Sequence, residues 1–226
     1  MNYIRFSHTY DHQQLCSELE NILQHDWPLH FNTRDFAGEW RSISLRSASG
    51  HSQDILAHPD AQYKDTPVLD MMPYAKQIMD SWQCEKESVR LLSLSPGSEI
   101  KPHKDQGCGY PNGIFRIHIP IITNPEVFFT LENERLQLLA GECWYMDFSC
   151  THSIVNKGYT ARVHLIMDCI RNEWSDQLFA SHGYNIHQQK TAATLDAATR
   201  AAMIVELEKM DTDTARQLIA TLKAEN

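Results

Sequence analysis

The residues best suited to chemistry in this chain are two histidines and one aspartate. His103 and Asp105 lie two positions apart, and His152 follows further along the chain. Two imidazoles and one carboxylate form the 2-His-1-carboxylate ligand set, which holds Fe(II) on one face and leaves the other face open. Zinc is the alternative ion, since the same side chains also bind it. The three residues are therefore predicted metal ligands and predicted catalytic residues.

A second feature, Arg162, suggests what binds beside the metal. A dicarboxylate co-substrate needs a fixed cation at its far end, and arginine offers a planar fork that forms two parallel hydrogen bonds to a carboxylate. On a strand, Arg162 and His164 share one face, and Arg116 and His118 repeat this spacing. Buried charges need partners. We therefore expect an Fe(II)- and 2-oxoglutarate-dependent oxygenase, although one of these strands could instead turn its charges to solvent.

Short strands must position these groups. Turn residues such as Pro-Gly and Asn-Gly separate many short apolar segments from Ser88 onward, which is typical of a sandwich or barrel. The predicted fold is mainly β, a cupin-like double-sheet jelly roll. His103 and Asp105 would share one strand face, with Lys104 pointing away. The predicted strands are 40–45, 89–95, 100–104, 114–122, 127–131, 135–138, 142–148, 152–156 and 162–170.

Helices are predicted at both ends of the chain. Residues 11–24 share an apolar face behind a capping box formed by Asp11 and Gln14. Residues 73–82 begin with proline, as many helices do. Residues 195–210 and 212–224 predict a helical hairpin that packs on the barrel or on a second subunit, so a homodimer through these helices is possible.

The expected organisation is a jelly-roll oxygenase domain with N-terminal helical elements over 1–172 and a C-terminal helical extension over 173–226. Residues 51–70 read as a long surface excursion that covers a site.

Composition limits the partners. The chain has 226 residues, 42% of them hydrophobic, and a formal net charge of −9 without a basic run. Nucleic acid and acidic membrane surfaces are therefore poor partners, whereas a small-molecule or peptide substrate remains open. The six cysteines show no framework spacing and no signal peptide is evident, so we expect reduced thiols and a cytoplasmic location.

Six separated signatures between Ser95 and Asp168 resemble the aspartyl/asparaginyl β-hydroxylase family. The resemblance implies a double-stranded β-helix, Fe(II), 2-oxoglutarate and hydroxylation of an unactivated C–H bond in an amino-acid side chain. It assigns His103 and His152 to the metal, and Arg162 to the far carboxylate of 2-oxoglutarate. The signatures are Ser95-Pro-Gly97, Pro102-His103, Arg116-Ile-His118, Gly141-Glu142, His152 and Arg162.

The same resemblance places Arg116 and His118 near the metal-bound end of the co-substrate. The vertebrate-type members have a small residue instead of the carboxylate ligand, whereas this chain has Asp105 and is more similar to the family's small bacterial free-amino-acid hydroxylases. Arg90 matches an arginine of that group and is a candidate for the substrate carboxylate, or else a surface charge. Arg46 is a second substrate candidate because loops around a barrel mouth commonly bind substrates.

The alternative function is a non-oxidative metal-dependent cupin, either an isomerase or a metal- or ligand-binding sensor. Arg162 discriminates against it, because such proteins need no fixed clamp for a five-carbon diacid.

Overall fold

A computed structural model describes most of the chain in two compact units, residues 1–186 and 187–226. The described residues are 1–58, 61–185, 197–210 and 212–224. The predicted domain boundary at residue 172 stays a prediction.

The first unit is a jelly roll of two antiparallel sheets, as the turn pattern predicted. The larger sheet has seven strands in the order β1-β10-β7-β12-β5-β3-β4, and the smaller has five in the order β2-β6-β11-β8-β9. The strands are β1 Tyr3–Thr9, β2 Phe36–Ala37, β3 Trp40–Ser47, β4 Lys64–Asp65, β5 Lys86–Leu94, β6 Glu99–His103, β7 Ile114–Ile122, β8 Val127–Leu131, β9 Glu134–Leu136, β10 Glu142–Met146, β11 His152–Asn156 and β12 Arg162–Ile170.

The described part of this unit has three α-helices, α1 His12–Glu20, α2 Pro73–Ser81 and α3 Glu173–Ser181, and two short 3-10 helices, Leu69–Met71 and Tyr110–Asn112. Helix α1 ends earlier than predicted, because the residues from Asn21 onward form turns. Asp11 caps it by accepting hydrogen bonds from the backbone N–H groups of Gln13 and Gln14. Neither β1 nor α3 was predicted.

The larger sheet has two very different faces. On β12, Val163, Leu165 and Met167 belong to an apolar cluster that also contains residues of α1, α2 and α3. The alternate residues Arg162 and His164 are equally buried but point to the other face, between the two sheets. The period of two that separates strand faces therefore divides a helix-covered core from a polar barrel interior.

The described residues of the second unit form two helices, α4 Ala197–Glu208 and α5 Asp213–Ala224. They correspond to the predicted hairpin, except that residues 195 and 196 lie outside the described residues. Thr212 accepts a hydrogen bond from the backbone N–H of Ala215 and so caps α5. The role of this helical hairpin in a homodimer stays a prediction.

Among the described residues, no helix is both long enough and apolar enough to cross a membrane.

Candidate metal centre

His103, Asp105 and His152 come together at one end of the smaller sheet. Strands β6 and β11 are hydrogen-bonded neighbours, and their register places His103 directly opposite His152. The two imidazole rings lie 4.2 Å apart between centroids. One potential ligand atom from each of the three residues lies within 4.8 Å of the others. This is the spacing that a single ion could bridge.

Asp105 reaches this cluster by a different route from the one predicted. Strand β6 ends at His103, so Asp105 lies in the following loop and the same-face argument does not apply to it. Its backbone N–H donates to the carbonyl of Phe148 at 2.9 Å, which fixes the loop against the segment after β10. Lys104 is exposed and lines the same cavity as Asp105, and the expectation that its side chain points away stays a prediction.

The two histidines are oriented for metal binding by backbone carbonyls. The Nδ1 of His103 lies 2.7 Å from the carbonyl oxygen of Lys101, and the Nδ1 of His152 lies 3.1 Å from that of Cys150. A carbonyl only accepts, so each Nδ1 carries the proton and each Nε2 keeps its lone pair. Burial lowers the pKa of His152 to about 4, which leaves it neutral at pH 7. This donor set fits Fe(II).

Arg116 holds the candidate ligand Asp105. Its Nη1 donates to Asp105 Oδ2 at 2.6 Å, while its Nε donates to Asp168 Oδ1 at 2.6 Å. Burial favours a higher pKa for Asp105, but the nearby Arg116 and His152 keep it below the ordinary value. The Asp105 carboxylate is therefore ionised, as a metal ligand must be.

Asp168 is the buried anion at the centre of this network. It accepts hydrogen bonds from Ser88 at 2.7 Å, from Arg90 at 2.8 Å and from both Nε and Nη2 of Arg116. Burial alone would raise the pKa of Asp168, but Arg116 and Arg90 hold it at about 2. The buried guanidinium of Arg90 and the partly buried guanidinium of Arg116 thus share one carboxylate.

Deeper between the sheets, Arg162 presents a buried cation. Its guanidinium is 1% exposed, and no carboxylate among the described residues pairs with it. Its Nη2 lies 2.8 Å from the Nδ1 of His164, and its Nε lacks a hydrogen-bond partner within the described chain. Burial lowers the pKa of Arg162 to about 9, so the side chain stays charged at pH 7. A buried, unpaired guanidinium is unfavourable unless an anion binds it.

Neutral aromatic groups connect Arg162 to the metal cluster. His118 lies 3.5 Å from His164 between Nδ1 atoms and stacks on Phe148 at 4.9 Å between ring centroids. Phe148 in turn packs on the ring of His152 at 4.6 Å. Burial, followed by the charge of Arg162, lowers the pKa of His118 and His164 well below the ordinary value. The Nε2 atoms of both histidines lack a partner among the described residues, so two polar atoms are available to a ligand.

A cavity of about 440 Å³ opens onto His103 and Asp105. Arg90 lines it and is buried, so the reading of Arg90 as a surface charge is wrong. Its Nη1 donates to the carbonyl of Ile55, and its Nε lacks a partner in the described part of the chain. The segment at 51–58 therefore contributes to the site through a backbone carbonyl as well as through Ala57 in the cavity wall.

Arg46, the other substrate candidate, does not line this cavity. Its Nη1 donates to Asp65 at 2.6 Å and its Nε to the carbonyl of Lys86 at 3.1 Å. The geometry therefore favours Arg90 over Arg46 as the cation that meets a substrate.

The sequence reasoning missed several residues of the site. Asp168 shares the strand parity of Arg162 and His164, and that period could have identified it. His30 and Trp40 also line the cavity, where their rings stack at 3.5 Å between centroids. No sequence pattern links these two, because His30 comes from an irregular segment.

Comparisons with known proteins agree with this geometry. Residues 9–172 match the family model described as aspartyl/asparaginyl β-hydroxylase. The chain is 26% identical over 163 residues to L-proline cis-4-hydroxylase of Rhizobium meliloti (strain 1021), which covers 70% of this chain and 57% of that protein. It is 26% identical over 136 residues to L-proline cis-3-hydroxylase 1 of a Streptomyces species, covering 58% of this chain and 47% of that protein. The chain thus spans about half the length of the curated relatives it matches.

Among solved structures, a prolyl-4-hydroxylase from Pseudomonas putida aligns with a TM-score of 0.49 and 10% identity over 76% of this chain and 93% of that one. The non-heme α-ketoglutarate-dependent epimerase SnoN from nogalamycin biosynthesis aligns with a TM-score of 0.49 and 12% identity, over 75% and 78% of the two chains. Likenesses of this size say nothing about activity.

Proposed function

The chain belongs to the aspartyl/asparaginyl β-hydroxylase family, and from that premise we propose that it is an Fe(II)- and 2-oxoglutarate-dependent oxygenase. It hydroxylates an amino-acid side chain and releases succinate and carbon dioxide. One observation carries the proposal. The His103, Asp105 and His152 cluster lies on the same barrel interior as Arg162, a buried guanidinium that no described carboxylate neutralises.

Each residue then has a definite task. His103, Asp105 and His152 hold Fe(II), and Arg162 binds the far carboxylate of 2-oxoglutarate with His164 beside it. When bound, the iron and 2-oxoglutarate supply the oxidising chemistry that inserts oxygen into a C–H bond. The apolar rings of Phe148 and its neighbours exclude water from the interior.

Two residues near the metal support this arrangement. Arg116 fixes the orientation of Asp105 by a charge-assisted hydrogen bond. It thus acts on a metal ligand, whereas the family resemblance implied a contact with 2-oxoglutarate. His118 is neutral and faces His164, so it supplies a polar atom to the co-substrate without adding charge.

The proposed substrate is a free α-amino acid whose carboxylate binds Arg90. Arg90 is buried in the cavity wall and has an N–H without a partner among the described residues, which favours an anionic group over a neutral peptide bond. The curated relatives are named as L-proline hydroxylases, so L-proline is the first substrate to test.

The experiment measures succinate and hydroxylated product together. Purified protein with Fe(II), 2-oxoglutarate and oxygen is incubated with L-proline, other free amino acids and short Asp- or Asn-containing peptides. The proposal predicts succinate release in step with a product heavier by one oxygen for at least one free amino acid. Metal binding without 2-oxoglutarate consumption would favour a non-oxidative cupin, and activity on peptides alone would contradict the assigned role of Arg90.

A further inference from the structure

Asp168 connects the proposed substrate arginine to the proposed metal ligand. Its Oδ2 accepts from Arg90 Nη2 at 2.8 Å and from Arg116 Nη2 at 3.2 Å. Arg116 continues the path, because its Nη1 donates to Asp105 Oδ2 at 2.6 Å. Arg90 and Asp105 are thus joined by an unbroken series of charge-assisted hydrogen bonds, and Asp168 is the only anion between them in the described chain.

The sharing of one oxygen makes the two ends of this series interdependent. Arg90 and Arg116 compete for Asp168 Oδ2, which Ser88 also contacts at 2.7 Å. Whatever weakens the bond from Arg90 leaves more of the Asp168 charge to Arg116. Arg116 then binds Asp168 more strongly and Asp105 less strongly, and the carboxylate that holds the metal becomes a stronger donor.

The packing around Asp168 and Arg90 restricts side-chain movement. A change in one ion pair is therefore passed to the next instead of being absorbed by a shift in position. Asp168 and Arg90 are buried, and Arg90 is also held by the carbonyl of Ile55 at 3.0 Å. Arg116 lies against the ring of Phe148, with its guanidinium carbon 5.3 Å from the centroid. Water therefore screens the Arg90–Asp168 pair little, whereas the Arg116–Asp105 pair is partly exposed at the cavity wall.

We propose that Asp168 is a positioning residue that transmits the state of Arg90 to the metal ligand Asp105 through Arg116. When a substrate carboxylate occupies Arg90, the hold of Arg90 on Asp168 weakens and the metal site responds. The proposal rests on the proposed function for the roles of Arg90 and Asp105. It adds a physical link by which substrate binding at Arg90 changes the affinity of the site for the metal.

A double-mutant cycle with Co(II) as the only ligand tests this without turnover. Co(II) affinity is measured by its visible absorption in the wild type, Arg90→Lys, Asp168→Asn and the double variant. Arg90→Lys keeps the charge but loses the Nη2 that donates to Asp168 Oδ2. We expect Arg90→Lys to tighten Co(II) binding about threefold in the wild-type background and to have no effect beside Asp168→Asn. Asp168→Asn alone should weaken Co(II) binding about tenfold, as outer-shell partners of metal ligands do.

The outcomes separate the two proposals. Equal effects of Arg90→Lys in both backgrounds, or no effect in either, would overturn the role of Asp168 while leaving the metal centre intact. Failure of the wild type to bind Co(II) at all would contradict the proposed metal centre, and the role of Asp168 with it.

Two further variants guard the result. Lys104→Met removes a cation from the same cavity wall without touching Asp168, so its effect on Co(II) affinity should be the same in both backgrounds. If circular dichroism shows that Asp168→Asn does not fold, Ser88→Ala replaces it, because it removes one hydrogen bond to Oδ2 and keeps the charge. The effect of Arg90→Lys must then differ between the Ser88→Ala and wild-type backgrounds, and an identical effect contradicts the proposal.

Discussion

The two faces of the seven-stranded sheet are built from the same strands, but one face stabilises the fold and the other presents polar groups for binding. On β12, Val163, Leu165 and Met167 pack among apolar side chains under the helices. The alternate residues Arg162 and His164 are just as buried but have polar atoms without partners in the described chain. Burial of apolar groups stabilises a fold, whereas burial of unpaired polar groups opposes it. The polar face therefore lowers the stability of the fold, and its unpaired groups are placed to bind a ligand.

The sharpest test of this contrast is Arg162→Met, which we expect to have the largest effect on function. Loss of the guanidinium should lower turnover on the order of a thousandfold, because a positioned charge inside a dry site is lost. Stability in urea should stay the same or rise by about 1 kcal/mol, since an uncompensated buried cation is replaced by a similar apolar volume. A clear loss of stability would show that Arg162 is part of the structural core instead.

Leu165→Ala makes the converse change on the other face of the same strand. Leu165 is fully buried, so the cavity left behind should reduce the free energy of unfolding by about 3 kcal/mol. The folded variant should still bind Co(II) with wild-type affinity. Chemical denaturation and metal titration measured on one preparation would check both expectations. Weaker Co(II) binding by the folded variant would contradict the separation of the two faces into a structural and a binding role.

Acid should destabilise the protein through its buried neutral histidines. Burial lowers the pKa of five histidines: that of His30 to about 3, that of His152 to about 4, those of His118 and His164 well below the ordinary value, and that of His8 in the same direction. Unfolded histidines bind protons near pH 6.5, so below that pH the unfolded state takes up protons that the folded state refuses. Stability is therefore greatest above about pH 6.5 and is lost as the pH falls toward the folded values.

Each such histidine contributes a slope of about 1.4 kcal/mol per pH unit in this range. Urea unfolding of the metal-free protein at several pH values should show this slope, and His30→Asn should reduce it by about one proton. An unchanged slope in His30→Asn would mean that His30 does not stay neutral in the folded protein.

The smallest effect is expected at Arg46. Its partly exposed ion pair with Asp65 lies outside the cavity, so Arg46→Ala should cost no more than about 1 kcal/mol of stability. The Michaelis constant for the amino-acid substrate should stay within about twofold of the wild type, whereas Arg90→Lys should raise it several-fold because the bidentate fork is lost. Comparable increases of the Michaelis constant in both variants would show that Arg46 contributes to substrate binding.

Much of this division was predictable because it follows from periodicity. The strands at 114–122, 127–131, 152–156 and 162–170 match the predicted ranges, since alternating or continuous apolar runs between turn residues leave little freedom. The same period put Arg162 and His164 on one face. Strand β1 escaped prediction because its burial depends on pairing with β10, which is distant in sequence.

The details of the site were less predictable because they depend on contacts between distant segments. Asp105 was expected on a strand but is held in a loop by the carbonyl of Phe148. The partners of Asp168 come from β5 and β7 and appear together only after the sheet has formed. His30 reaches the cavity from an irregular segment through its stack on Trp40. Residue types indicated the chemistry, while the fold decided which charges meet.

The central claim is that His103, Asp105 and His152 hold one ferrous ion within reach of a diacid bound by Arg162. Anaerobic titration of the Fe(II) protein with 2-oxoglutarate, followed by visible absorption, tests it most directly. We predict a charge-transfer band that saturates in the wild type, is absent in His152→Ala, and needs far more 2-oxoglutarate in Arg162→Met. A wild-type protein that binds Fe(II) but develops no band at any 2-oxoglutarate concentration would contradict the claim.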